Sequence, residues 1–302
     1  AKMAAAEVSK VVTPPFLGME PENSAIHKAA FHLLPVPYEV TTSYMKGTRN
    51  GPKAFLEASN QIELWDEEVD YETWNLGIHT LPYFRPEVTP QASMKKLAAQ
   101  VREVLPFGKP LFTIGGEHTL TGAIVPEFAA KFKDLSVLHI DAHADLRDEY
   151  EGTPLSHACA LNPVMKTGAP LVQVGIRSVG PEEKGYTNNK NVTTFFAHAT
   201  RDMKALIPQV LAKLTGTVYI TIDLDGFDPA VFPGVGTPQP GGLGWYEGLE
   251  LFKAVIDSRK VVGVDLMELC PLQNNVISEL HAAKLAYRLM GYLARANGLI
   301  KK

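Results

Sequence analysis

Five short apolar runs constrain this chain more than any other feature: 110–115 (PLFTIG), 135–140 (LSVLHI), 171–176 (LVQVGI), 217–222 (TVYITI) and 261–266 (VVGVDL). They are rich in β-branched residues and mostly apolar on both faces, the pattern of central strands in a parallel sheet. Around them lie longer segments, 92–105, 119–132, 202–214, 246–257 and 278–296, whose apolar residues recur every three or four positions, the period of a helix. This alternation predicts an α/β fold in which helices cover both sides of a mostly parallel sheet. The first ninety residues are less regular and are punctuated by Pro14, Pro15, Pro35 and Pro37. No polar linker or internal repeat divides the chain, so the expectation is a single domain over 1–302.

Composition narrows the function classes. The chain has 29 basic and 33 acidic residues and a formal charge of −4, without the Lys/Arg cluster that marks a nucleic-acid or anionic-membrane footprint. No apolar run approaches the roughly 18 residues of a membrane span. The start, AKMAAAEVSKVV, lacks the long apolar core of a secretory signal. Cys159 and Cys270 do not form a C-x-x-C pair, which predicts two reduced, buried thiols in a cytoplasmic protein.

Four of the strands end in polar residues. The first leads to GGEH (115–118) and His118, the second to DAHAD (141–145), the fourth to DLD (223–225) and the fifth to DLME (265–268). Ligands of open α/β sheets sit beyond the carboxyl ends of the strands, so all four clusters fall on the edge where a site belongs. In an extended segment, residues two apart share a face; Asp141, His143 and Asp145 can meet one object, and so can Asp223 and Asp225. With His118 this makes four carboxylates and two imidazoles. That much negative charge beside an apolar core repels itself or takes up protons. Two divalent cations about 3.5 Å apart would neutralise it. Mixed imidazole and carboxylate ligands suit manganese, with nickel, cobalt or zinc as alternatives. His139 lies deeper in its strand and reads as a core histidine. Asp228 reads as a brace for the Pro/Gly-rich loop 226–244, and GVG at 234–236 has Gln239 where a dinucleotide fingerprint needs its third glycine.

GGEHTLT, HIDAHADLRDEYEGTPLSHA, TIDLDGFDPAVFPGVGTPQPGGL and DLMELCP resemble, in order, the motifs of the ureohydrolase family of arginases and agmatinases. The likeness spans roughly 115–271, with a weaker echo in MKGTRNGP (45–52). It implies a three-layer α/β/α fold, a dinuclear manganese site, and hydrolysis of a guanidinium group to urea and an amine by a metal-bridging hydroxide. It places one metal on His118, Asp141, Asp145 and Asp223, and the second on Asp141, His143, Asp223 and Asp225, with Asp141 and Asp223 bridging. Glu268 is suited to pair with the planar substrate cation at two points. His157, in LSHA, occupies the place of a family histidine that shuttles protons towards the leaving amine, a task suited to its pKa; capping of the following helix is the other reading. Family members commonly form trimers or hexamers, which implies a homo-oligomer.

Arginases carry a loop rich in Asn, Thr and Ser after their DAHTD. Here LRDEYEGTPLS (146–156) takes its place, as in many agmatinases, so the resemblance points to agmatine, giving putrescine and urea. Asp148, Glu149 and Glu151 either supply a field for the second cation of agmatine or form a solvated loop face. Arg147, if turned inward, would favour a carboxylate-ended substrate such as guanidinobutyrate. Guanidine or another guanidino compound, and a metal-binding relative without turnover, complete the alternatives. Phe232 and Trp245 either wall an entrance or pack in the core.

Overall fold

The computed structural model describes residues 12–187, 189–199 and 201–301. Among them, eight strands form one sheet: β1 (Phe31–Val36), β2 (Ile78–Thr80), β3 (Leu111–Gly115), β4 (Leu135–Ile140), β5 (Leu171–Ile176), β6 (Val192–Phe196), β7 (Thr217–Asp223) and β8 (Lys260–Met267). Their order is β2-β1-β3-β8-β7-β4-β5-β6, and every neighbouring pair is parallel. All carboxyl ends therefore share one edge. The five expected runs are β3, β4, β5, β7 and β8, each within one residue of its expected ends.

Three strands went unpredicted. In β1 (FHLLPV) an internal proline argues against a strand, since it cannot donate to the ladder. The register resolves this: Phe31, Leu33 and Pro35 face β2, which ends at Thr80, the partner of Leu33. Pro35 lies past that end and needs only its carbonyl, which accepts from the Phe84 amide at 2.9 Å. β2 has only three residues, and β6 is an edge strand that is half-buried for most of its length.

The helices are α1 (Gly51–Ser59), α2 (Pro90–Val104), α3 (Thr121–Lys131), α4 (Asn162–Lys166), α5 (Met203–Lys213), α6 (Trp245–Ser258) and α7 (Ile277–Ala296). Their starts follow capping chemistry: Thr89 accepts from the Ala92 amide ahead of Pro90 in α2, and Asp202 from the Lys204 amide in α5. Strand side chains alternate between two cores. Leu138, Ile140, Val218, Ile220 and Ile222 pack under α1, α5, α6 and α7, whereas Val137, Tyr219 and Met267 pack under α2, α3 and α4. The result is the three-layer α/β/α sandwich. Among the described residues, no helix is long and apolar enough to cross a membrane.

Candidate metal centre

The four strands that carry the polar clusters, β3, β8, β7 and β4, are consecutive in the sheet. Their carboxyl ends therefore deliver side chains to one place. Between β3 and His118 the chain passes Gly116, where an added Cβ would lie 1.8 Å from the Tyr38 carbonyl oxygen; only glycine permits this crossing. Asp145 and Glu268 adopt φ of +54° and +66°, a left-handed conformation that costs a side-chain-bearing residue about 1–2 kcal/mol. Such strain concentrates where a side chain must be aimed, and both side chains are aimed at the cluster.

His118 Nδ1 lies 3.2, 3.4 and 3.3 Å from carboxylate oxygens of Asp141, Asp145 and Asp223. His143 Nδ1 lies 3.4 Å from Asp141 and 3.1 Å from Asp225. Two groups thus share Asp141. Backbone donors hold the acids in place: the His143 amide binds Asp141 at 2.6 Å, the Asp225 amide binds Asp223 at 2.9 Å, and the Ala142 amide binds Asp225 at 3.1 Å. Thr237 and Gln239 reach Asp225 and His143 from the Pro/Gly-rich loop at 3.3 and 3.5 Å.

Divalent cations fit this set. His118 is fully buried, its Nε2 faces Thr221 Oγ1 at 2.9 Å, and its Nδ1 has no hydrogen-bond partner although three carboxylates surround it. The electrostatics agree. Burial, together with Asp225 and Asp141, pushes Asp223 well above the usual carboxylate range, and burial beside Asp141 raises Asp225. Burial opposes the charge on Asp141 too, but contacts with His118, His139 and His143 hold it well below. Burial likewise opposes the His143 cation, yet Asp225 and Asp141 lift it to about 12. A cluster so dependent on protons for balance is a natural host for metal charge.

Glu268 borders the cluster. Its Oε1 accepts from the His118 amide at 2.7 Å, and His157 Nδ1 stands 3.6 Å away. A Cβ on Gly236 would lie 3.7 Å from Glu268 Oε2, so the GVG turn borders this carboxylate. His157 Nε2 contacts Ser43 Oγ at 3.1 Å. Burial disfavours its charge, but Glu268, with Asp145 and Glu117 behind it, outweighs that and raises it to about 9. The capping role belongs to Ser156, which accepts from the Ala158 amide; the His157 ring faces Glu268 instead.

The segment after DAHAD is tied down. Arg147 pairs with Glu182 at 2.5 Å and Glu183 at 3.4 Å, with its guanidinium over Tyr150. Asp148 accepts from Tyr186 at 2.5 Å and Asn162 at 3.2 Å, and these contacts, with Lys166, lower its pKa. Glu149 and Glu151 are exposed. Asp228 accepts from the Ala230 amide at 2.8 Å, a loop brace as expected. Phe232 is fully buried against Phe227, and Trp245 packs beside His281, so core packing accounts for both. The two thiols are free and buried.

Sequence reasoning missed two organisers of the site. Glu117, buried in GGEH, accepts from the Val40 and Thr41 amides at 2.6 and 2.7 Å and from the hydroxyls of Thr41 and Thr119 at 2.7 Å. It straps the segment bearing Ser43 beside His157, and the His157 amide donates to Thr41 at 3.0 Å. Arg177 donates to the carbonyls of Asp225 at 2.7 Å, Gln239 at 3.0 Å and Pro240 at 3.0 Å, fastening both ends of the Pro/Gly-rich loop. A charged residue directly after an apolar strand was the available signal for Arg177.

Comparison with known proteins agrees with this geometry. A family model described as the arginase family matches residues 29–291. The N(1)-aminopropylagmatine ureohydrolase of Synechocystis sp. is 42% identical over 272 residues, covering 87% of this chain and 89% of that protein. The agmatinase of Pyrococcus horikoshii is 31% identical, covering 92% and 96%. The crystal structure of agmatine ureohydrolase of Thermoplasma volcanium superposes with a TM-score of 0.83 at 26% identity, covering 93% and 96%. By this measure the chain belongs to the arginase family, two-metal ureohydrolases that cleave a C–N bond of a linear amidine.

Proposed function

We propose that the chain hydrolyses an amine-ended guanidino compound, agmatine foremost, to urea and the free amine, putrescine. The observation that carries this reading is the pairing of the six-residue Asp/His cluster with Glu268 at its border. His118, Asp141, His143, Asp145, Asp223 and Asp225 would hold the metal ions, with Mn2+ expected first. Bound cations would supply Lewis acidity and a water activated at neutral pH. Glu268 binds and orients the guanidinium, presenting its carbon to the cluster. Water adds at that carbon, the C–N bond to the amine breaks, and the amine leaves with a proton. His157 stands beside Glu268 and can deliver it. Because Arg147 is neutralised by Glu182 and Glu183, it offers no free cation to a substrate carboxylate, which supports agmatine over guanidinobutyrate.

A second reading is N(1)-aminopropylagmatine, favoured by the 42% identity to the Synechocystis enzyme of that name. The same proposal treats 1–302 as one ureohydrolase domain, assembled as a homo-oligomer in the cytoplasm. The test is urea release by Mn2+-loaded protein from agmatine, N(1)-aminopropylagmatine, arginine, guanidinobutyrate and guanidine. The highest kcat/KM is expected on agmatine; the highest on the aminopropyl compound would establish the second reading. Preference for a carboxylate-ended substrate, or no urea from any of the five, refutes the proposal.

A further inference from the structure

A row of polar side chains crosses the sheet one residue pair below the carboxyl edge. The register sets Thr113 of β3 beside Asp265 of β8, Asp265 beside Thr221 of β7, and Thr221 beside His139 of β4. His139 in turn is beside Gln173 of β5, and Gln173 beside Thr194 of β6. Residues in register on parallel neighbours project from the same face. His139 precedes Asp141 by two positions and Thr221 precedes Asp223 by two, so the row runs beneath these two acids. Five of its six members are fully buried; Thr194 is half-buried.

The hydrogen bonds along the row fix where protons sit. Thr194 Oγ1 donates to Gln173 Oε1 at 2.9 Å, and Gln173 Nε2 donates to the Ala144 carbonyl at 2.7 Å. A carbonyl only accepts, which fixes the amide, and its second hydrogen points at His139 Nδ1, 3.0 Å away. His139 Nδ1 is therefore the bare nitrogen. The ring hydrogen is on Nε2, which donates to Asp141 Oδ2 at 2.8 Å. His139 thus cannot offer Nε2 to a metal, although it lies among the potential ligands.

On the other side, Asp265 accepts from Thr121 and Tyr219 at 2.9 Å each, and from Thr221 at 2.6 Å. Because Thr221 donates its single hydrogen to Asp265, its oxygen can only accept from His118 Nε2. In its neutral form, the one that can ligate a metal, the His118 ring then keeps its hydrogen on Nε2 and turns Nδ1 to the three carboxylates.

We infer that this transverse row is a positioning layer for the metal centre: Thr194, Gln173 and His139 orient Asp141, while Asp265 and Thr221 set the tautomer of His118. The inference rests on the two-metal reading above. Partners behind metal ligands fix ring orientation and tautomer, and losing one weakens metal affinity about 10- to 100-fold.

The experiment is Mn2+ titration of the metal-free full chain, with free Mn2+ read by electron paramagnetic resonance. His139→Phe and Thr221→Val should each raise at least one Mn2+ dissociation constant about 10- to 100-fold. Thr221→Ser, which keeps the hydroxyl, should restore it. Thr113→Val belongs to the same row but touches no ligand, and should bind like the wild type. Nitrogen-15 NMR of the wild type gives a readout independent of any variant: the His139 ring should carry one hydrogen, on Nε2. A hydrogen on Nδ1, unchanged affinities in His139→Phe and Thr221→Val, or an equal loss in Thr113→Val would overturn the positioning layer. Failure of the wild type itself to bind two Mn2+ would instead overturn the two-metal reading on which it rests.

Discussion

Replacing Glu268 with Gln isolates the charge proposed to hold the substrate. The side chain keeps its size, and a glutamine carbonyl can still accept from the His118 amide that now binds Oε1 at 2.7 Å. The approach of Gly236 to Oε2 is also preserved. What disappears is the anion facing a guanidinium in a site where Glu268 is 3% exposed. Removing one member of a buried, hydrogen-bonded charge pair costs about 2–5 kcal/mol. At about 1.4 kcal/mol per tenfold, kcat/KM should fall by about 30- to 4,000-fold. Because Glu268 is the foremost group opposing the burial that disfavours the His157 cation, the variant should also lower the apparent pKa of that histidine. The assay is initial-rate urea release from agmatine and N(1)-aminopropylagmatine by Mn2+-loaded wild type and variant, with Mn2+ binding measured in parallel. A fall of less than about threefold would remove Glu268 from substrate binding. A large fall accompanied by loss of Mn2+ would make Glu268 a metal ligand instead.

Three further outcomes follow from the geometry. In Gly226→Ala, the new Cβ would lie 2.7 Å from the Asp141 amide nitrogen and 2.9 Å from its Cα; overpacking against backbone should cost about 1–3 kcal/mol, visible as a lower Tm of the metal-free protein, and an unchanged Tm would refute the contact. Mn2+ at 100 times its Kd should stabilise the protein by about 2.7 kcal/mol per site, raising Tm by several degrees reversibly with a chelator; no shift would count against the cluster as a metal host. The elevation of His157 from 6.5 to about 9 is worth about 3 kcal/mol. Because the folded value is the higher one, that contribution is complete below pH 6.5 and lost as pH rises through 9. The stability advantage of metal-free wild type over His157→Asn in urea should shrink across that window, and a constant difference would disprove the pairing with Glu268.

How much of this was legible in the sequence depended on whether the signal was local. The runs that became β3, β4, β5, β7 and β8 announce themselves because strands buried on both faces need continuous apolar residues. Asp141, His143 and Asp145 were legible because their spacing of two is a local property. β1 was not, because Pro35 breaks the local rule and only the early end of β2 makes it harmless. Glu117 was not, because its partners Val40 and Thr41 lie more than seventy residues away. Arg147 was ambiguous for the same reason: Glu182 and Glu183 decide where its charge goes.

The row beneath the centre carries this reasoning one step further. Taken one strand at a time, His139, Gln173, Thr221 and Asp265 are blemishes in otherwise apolar runs, each costing several kcal/mol if buried without partners. Parallel strands lie about 4.8 Å apart, a spacing that side-chain hydrogen bonds can bridge between residues in register. A lone buried polar residue is a liability, but Thr194, Gln173 and His139 on one side, and Thr221 and Asp265 on the other, bond sideways across adjacent strands. The hydrogen bonds left over reach the site: His139 donates along its own strand to Asp141, and Thr221 accepts from His118, which follows β3. On this view the polar residues inside the sheet and those at its edge form one system, and the strand register that builds the fold also sets the tautomers at the site.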